Sequence, residues 1–139
     1  MKSIAVQTRS NEEFIDITDL VKEAVIKSRI VNGICLIYVP HTTAGVTVNE
    51  NADPSVKTDI LMALRNAVPE SLSYGHGEGN SPAHVKATLV GPSLCLAVEN
   101  SAPVLGTWQG VFFCEFDGPR TRKLLIQTIP GGDSAPENP

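Results

Sequence analysis

Three histidines matter here for their placement: His41 opens an alternating polar stretch, His76 lies between glycines, and His84 follows Asn80 by four residues. Imidazole is the commonest protein metal ligand, and three imidazoles with an open fourth position make a catalytic zinc arrangement. No short ligand spacing such as His-Glu-x-x-His joins them, so three unrelated surface histidines is the standing alternative. The segment Tyr74-Gly75-His76-Gly77-Glu78-Gly79-Asn80 alternates glycine with an imidazole and a carboxylate. Glycines there let the backbone approach a ligand closely, whereas a loop kept only for flexibility gains nothing from His76 and Glu78 at fixed spacing.

Two further clusters carry chemistry. Gly106-Thr107-Trp108-Gln109-Gly110 holds the only tryptophan, which either stacks on a planar ligand or plugs the core. Asp117-Gly118-Pro119-Arg120 is a turn by composition, in which Asp117 accepts backbone hydrogen bonds or orients an arginine. Arg120 and Arg122 match phosphate oxygens bidentately, although arginines after a turn are commonly just solvated. Cys35, Cys95 and Cys114 all fall in apolar strand-like runs, and are read as buried small hydrophobes, not ligands.

The elements that must position these residues follow from periodicity. Ile4–Arg9 and Phe14–Ile17 read as strands, and Thr18 as the N-cap of a helix through Ser28, with Gly33 beyond it as the stop. Ile34–Val39 is apolar on both faces, which places it mid-sheet. From His41 to Asn49 the even positions Thr42, Ala44, Val46 and Val48 are small or apolar, while His41, Thr43, Thr47 and Asn49 form a polar face if the stretch is a strand. Asp53-Pro54 starts a helix that Pro69 closes, and Ser81-Pro82 starts a shorter one stopped by Gly91. Leu94–Val98, Val111–Phe116 and Lys123–Ile129 read as strands. The expectation is one α+β domain over residues 1–129, a largely antiparallel sheet system with two or three helices, and a flexible tail over 130–139.

Bulk properties narrow the partners. The chain has 139 residues, room for one core, and 42% hydrophobic against 19% charged residues, which argues against disorder. A formal charge of −4 lacks the basic footprint of a nucleic-acid binder. No window approaches the ~20 apolar residues of a membrane span, and Met1–Ser10 has no signal-peptide core. Three scattered cysteines suit a reducing, cytoplasmic compartment better than a disulfide framework.

Together, the motifs His41-Thr42-Thr43-Ala44, Val48-Asn49-Glu50-Asn51-Ala52-Asp53, His76-Gly77-Glu78-Gly79-Asn80 with Ala83-His84-Val85-Lys86, Gly106-Thr107-Trp108-Gln109 and Asp117-Gly118-Pro119-Arg120 resemble the YjbQ-like family, also known as secondary thiamine-phosphate synthase enzymes. The resemblance runs from about Ser3 to Gln127, with Ser101 standing where the family pattern usually has glycine. It implies an α+β fold, a homotrimer, and a pocket in which His41, His76 and His84 meet around a divalent metal. Zinc suits the imidazoles, while magnesium or manganese suits a departing diphosphate. The implied site has Glu78, Asp117 and Arg120 as catalytic groups and Thr43, Asn49, Asn80, Trp108 and Gln109 as ligand-binding groups. The implied reaction joins a pyrimidine-methyl diphosphate to a thiazole phosphate and releases diphosphate. A metal-dependent hydrolase of small esters, with Glu78 as base, and a non-catalytic module for metal and a small anion are the competing readings.

Overall fold

The computed structural model describes residues 1–132. Its elements run β1 (Lys2–Gln7), β2 (Glu13–Asp16), α1 (Thr18–Ser28), β3 (Gly33–Tyr38), β4 (Ala44–Glu50), α2 (Pro54–Ala67), α3 (Ser81–Val90), β5 (Ser93–Glu99), β6 (Ala102–Pro103), β7 (Gln109–Glu115) and β8 (Thr121–Pro130). Five strands form one sheet in the order β1-β8-β3-β5-β6, and three form a second in the order β2-β7-β4. Every pairing is antiparallel. The single α+β domain expected from the sequence is therefore the one that forms.

Alternation decides how the layers stack. Val6, Cys35, Ile37, Val98, Leu124 and Ile126 line the inner face of the five-stranded sheet, meeting Ala44, Val46, Val111 and Phe113 of the smaller sheet and Val21 and Val25 of α1. On β7 the opposite parity, Phe112 and Cys114, faces away from this core. These residues join Phe14 and Phe116 under Ala83 and Ala87 of α3 and Ile60, Leu61 and Leu64 of α2. The order is thus large sheet, small sheet, then α2 and α3.

Several local expectations are corrected. Thr18 is the first residue of α1, not its cap. The Asp16 carboxylate accepts from the Thr18 N–H at 2.9 Å, and the Thr18 hydroxyl accepts from Val111 N–H at 3.0 Å. The helix ends at Arg29 in the left-handed region (φ 62°), before Gly33 is reached. Asp53 caps α2 as expected, accepting from Ser55 N–H at 2.9 Å. Ile34–Val39 is mid-sheet but not buried on both sides: Ile34, Leu36 and Tyr38 are exposed while Cys35, Ile37 and Val39 are buried. Cys95 is exposed on the same open face and is not a core residue. Pro130 closes β8, and Gly131 N–H donates to Asn32 O at 2.9 Å, so the ordered strand runs past residue 129. The expected flexible tail falls mainly on 133–139, outside the described residues.

Candidate functional site

The buried floor of the site bridges the two sheets at one end. Glu115 shares inward parity with Val111 and Phe113, and Arg122 shares it with Leu124 and Ile126, so a carboxylate and a guanidinium meet where apolar side chains would otherwise pack. Arg122 is 3% exposed and bonds Glu115 through Nε, at 2.8 Å, and through Nη2. It also donates to the Thr43 hydroxyl at 2.9 Å. Thr8 adds a hydroxyl donated to Glu115 Oε2 at 2.8 Å, and Asp117 N–H donates to Oε1 at 2.9 Å. Burial alone would push the Glu115 carboxyl up, but Arg122, the Asp117 N–H and Thr8 together hold it below its ordinary value. Each buried charge here has partners, as burial requires.

Above this floor lies a cavity of about 450 Å³ whose walls include His41, Thr43, His76, Glu78, Asn80, His84, Asp117, Arg120 and Arg122. His41 does not begin a strand. It sits in the loop between β3 and β4, where its Nε2 accepts from the Lys123 N–H at 2.9 Å. Burial and the nearby Arg122 charge lower its pKa. Thr43 is not on an open polar face either, being buried against Arg122. His76 and Glu78 project from a turn closed by Gly79 N–H donating to His76 O at 3.3 Å, with Gly79 at φ 75°. That left-handed conformation suits glycine, which accounts for one glycine of the run. The His76 ring meets the His84 ring edge to face, centroids 5.4 Å apart, and the Glu78 carboxylate lies 3.9 Å from His76 Nε2.

His84 comes from the first half of α3, which is held in place from both ends. Lys86, two residues on and on the opposite face of the helix, is buried and bonds Glu12 at 3.0 Å. At the far end Val46 N–H donates to Gly91 O at 3.1 Å, an approach that only glycine at position 45 permits, since a Cβ there would stand 2.6 Å from that oxygen. Asn80 is the N-cap residue of α3, yet its side chain does not cap the helix. Its Nδ2 donates to Asp117 Oδ2 at 2.9 Å, and its Oδ1 is buried without a partner. Asp117 in turn holds Arg120, whose Nε donates to the Asp117 carbonyl at 2.8 Å and whose Nη2 lies 3.2 Å from the carboxylate. The remaining guanidinium donors are left for an anion.

The other three expected ligand groups are elsewhere. Asn49 and Gln109 pair with Gly110 and Glu50 at the opposite end of the β4–β7 ladder from Ala44 and Glu115, about 20 Å away at the strand rise. Trp108 sits in the turn there, 64% exposed, neither in the cavity nor in the core. Gln109 closes its own turn by accepting from Gly106 N–H at 2.7 Å. Conversely, Glu115 and Thr8 escaped the sequence reading, although a glutamate at an inward-facing position of an apolar strand was the signal available. Among the described residues, no group of three or more His, Cys, Asp or Glu side chains stands close enough to hold a metal as it lies. The donor set suits a transition metal in kind, and His76 and His84 are already adjacent. His41 would have to bind through Nδ1 or give up the Lys123 N–H.

Fold and site together define a single-domain α+β protein with a polar, histidine-walled cavity at one end of two packed sheets. The profile of the family described as UPF0047 protein YjbQ-like matches residues 2–131. A UPF0047 protein of Methanocaldococcus jannaschii is 50% identical over 124 residues, covering 89% of this chain and 90% of its own. UPF0047 protein YugU of Bacillus subtilis is 48% identical over 130 residues, covering 93% and 98%. The crystal structure of a yjbq/upf0047 family protein from Clostridium acetobutylicum superposes with a TM-score of 0.91 at 49% identity, covering 93% of this chain and 100% of that one. This chain belongs to the YjbQ-like UPF0047 family.

Proposed function

We propose that this chain is a metal-dependent enzyme acting on a small phosphorylated substrate, with thiamine-phosphate synthase chemistry as its first candidate reaction. The observation that carries the reading is the cavity: three histidines from a loop, a glycine-rich turn and a helix share it with Arg120, Glu78, Asn80 and Asp117. With imidazoles counted neutral, the wall sets Arg120 and Arg122 against Glu78 and Asp117, so its charges balance, and the imidazoles and carboxylates suit a cation while Arg120 suits an anion. A divalent ion held by His76, His84 and His41, zinc by ligand type or magnesium or manganese by leaving group, would neutralise the departing diphosphate. Arg120, oriented by Asp117, would grip phosphate oxygens, and Asn80 would fix Asp117.

Metal analysis of the purified protein, followed by diphosphate release from the two thiamine precursors with and without added metal, tests this. The expected result is bound metal and metal-dependent release, both reduced in His76→Ala and His84→Ala. Neither metal nor product would sink it. One observation favours hydrolysis as the second reading: the cavity wall carries no Phe, Tyr or Trp to stack a pyrimidine, while Glu78 stands exposed beside His76 as a base. Metal-dependent phosphate release from simple esters would select it, and anion binding with no turnover would leave a non-catalytic module.

We further propose self-association, a homotrimer by family resemblance. Ile34, Leu36, Tyr38, Cys95 and Ile129 expose a continuous apolar face on the large sheet. Among the described residues no helix is long and apolar enough to cross a membrane, and the free cysteines Cys35, Cys95 and Cys114 support a reducing, cytoplasmic setting.

A further inference from the structure

Beside the polar cavity lies a second compartment of about 410 Å³, walled by Ala44, Ala87, Thr88 and Pro92 and sharing His41, Thr42 and His84 with the first. Among the described residues, no lysine, arginine, aspartate or glutamate lines it. The Thr88 hydroxyl already donates to His84 O at 2.9 Å, which commits its polar atom to the helix. We propose that this compartment is a specificity subsite for the uncharged, compact apolar or heteroaromatic portion of the ligand whose phosphate lies against Arg120. The inference rests on the phosphate-binding reading above and adds the kind of molecule the phosphate is attached to.

Continuity is what commits the compartment to one end of the same ligand. The two spaces adjoin along His41, Thr42 and His84, which wall both, so a molecule with its anion at Arg120 can extend past these side chains into the second space. The two volumes, each within the ~300–1,000 Å³ range of small-molecule sites, differ in chemistry: one holds every charged group and the other none. A flat ring or short branched chain placed against Ala44, Ala87 and Pro92 buries apolar surface, whereas a second charge there meets no counter-charge and a sugar gains little from those apolar walls. The site would therefore favour apolar over polar phosphomonoesters. Because His84 borders both spaces, occupancy of the second sets how deep the phosphate sits in the first.

Titration calorimetry with inorganic phosphate, glycerol phosphate and phenyl phosphate tests the subsite directly on the purified chain. Phenyl phosphate should bind about tenfold or more tightly than the other two, a gain of ~1.4 kcal/mol. Thr88 is exposed on α3, so Thr88→Phe and Thr88→Leu should fold with nearly unchanged thermal midpoints while filling the compartment. Both should erase the phenyl preference and leave the inorganic phosphate affinity within about twofold. Equal affinity for all three probes in the parent chain, or a phenyl preference surviving in both folded variants, overturns the subsite while phosphate binding stands. Failure of all three probes to bind at millimolar concentration overturns the phosphate reading and the subsite with it.

Discussion

Arg120 and Arg122 are two residues apart and chemically identical, yet the fold gives them opposite work. Arg122 is buried against Glu115, so Arg122→Ala leaves a buried carboxylate uncompensated and should cost about 3–5 kcal/mol of stability in urea unfolding. Arg120 is half exposed, so Arg120→Ala should change stability by no more than ~1 kcal/mol. It should weaken phosphate binding about tenfold; unchanged binding with a large loss of stability would assign Arg120 to the fold instead. His41 sets a pH dependence of its own. Its folded pKa is lowered by burial and Arg122, so the unfolded chain takes up the proton first as pH falls. Its contribution is complete above the ordinary histidine value of ~6.5, declines below it, and levels off once pH passes the folded value. His41→Gln should flatten the stability slope between neutral pH and about 5.5, measured as urea midpoints at constant salt. Identical slopes would remove His41 from that account. Glu115, held low, is lost only further down, as pH falls from about 4.3 through its folded pKa.

At the scale of elements, the turn between β5 and β6 carries strain that one residue explains. Asn100 and Ser101 take φ 50° and 63°, both left-handed, where a Cβ costs ~1–2 kcal/mol. Ser101→Gly relieves that and gives back ~0.4–1 kcal/mol through a freer unfolded chain, so the net gain should be about 0.5–1 kcal/mol by thermal or urea unfolding. No change or a loss would show that the surrounding bonds, such as Ser101 N–H to Val31 O at 2.9 Å, depend on the serine. Periodicity made the helices and most strands legible because each has one wet and one dry side. The capping of α2 by Asp53 was equally plain, being a local event. What stayed hidden was long-range. Nothing near Asn80 in sequence says that its amide serves Asp117 instead of its own helix, and nothing near His41 says that Lys123 will hold its ring. That Asn49, Trp108 and Gln109 lie away from this cavity within the chain was hidden for the same reason, since motif order along a chain does not reveal which end of a ladder each motif occupies.

For the molecule as a whole, the open face of the large sheet predicts association. Leu36→Glu and Tyr38→Glu each put a charge on that face without touching the buried core. Either variant should shift sedimentation from the assembled species towards the monomer, while far-ultraviolet circular dichroism stays unchanged; a parent chain that already sediments as a monomer would refute the trimer. The strand order has a temporal consequence as well. β8 lies between β1 and β3 and supplies Arg122, so β1 has no neighbour in its sheet until Thr121–Pro130 exists. While a ribosome is making the chain, the small sheet β2-β7-β4 can close first, but Lys2–Gln7 waits unpaired and Glu115 waits without its counter-charge. Assembly of the large sheet, and with it the floor of the cavity, therefore waits until Thr121–Pro130 has been made, and nascent chains stalled before Thr121 are the ones chaperones and proteases should find.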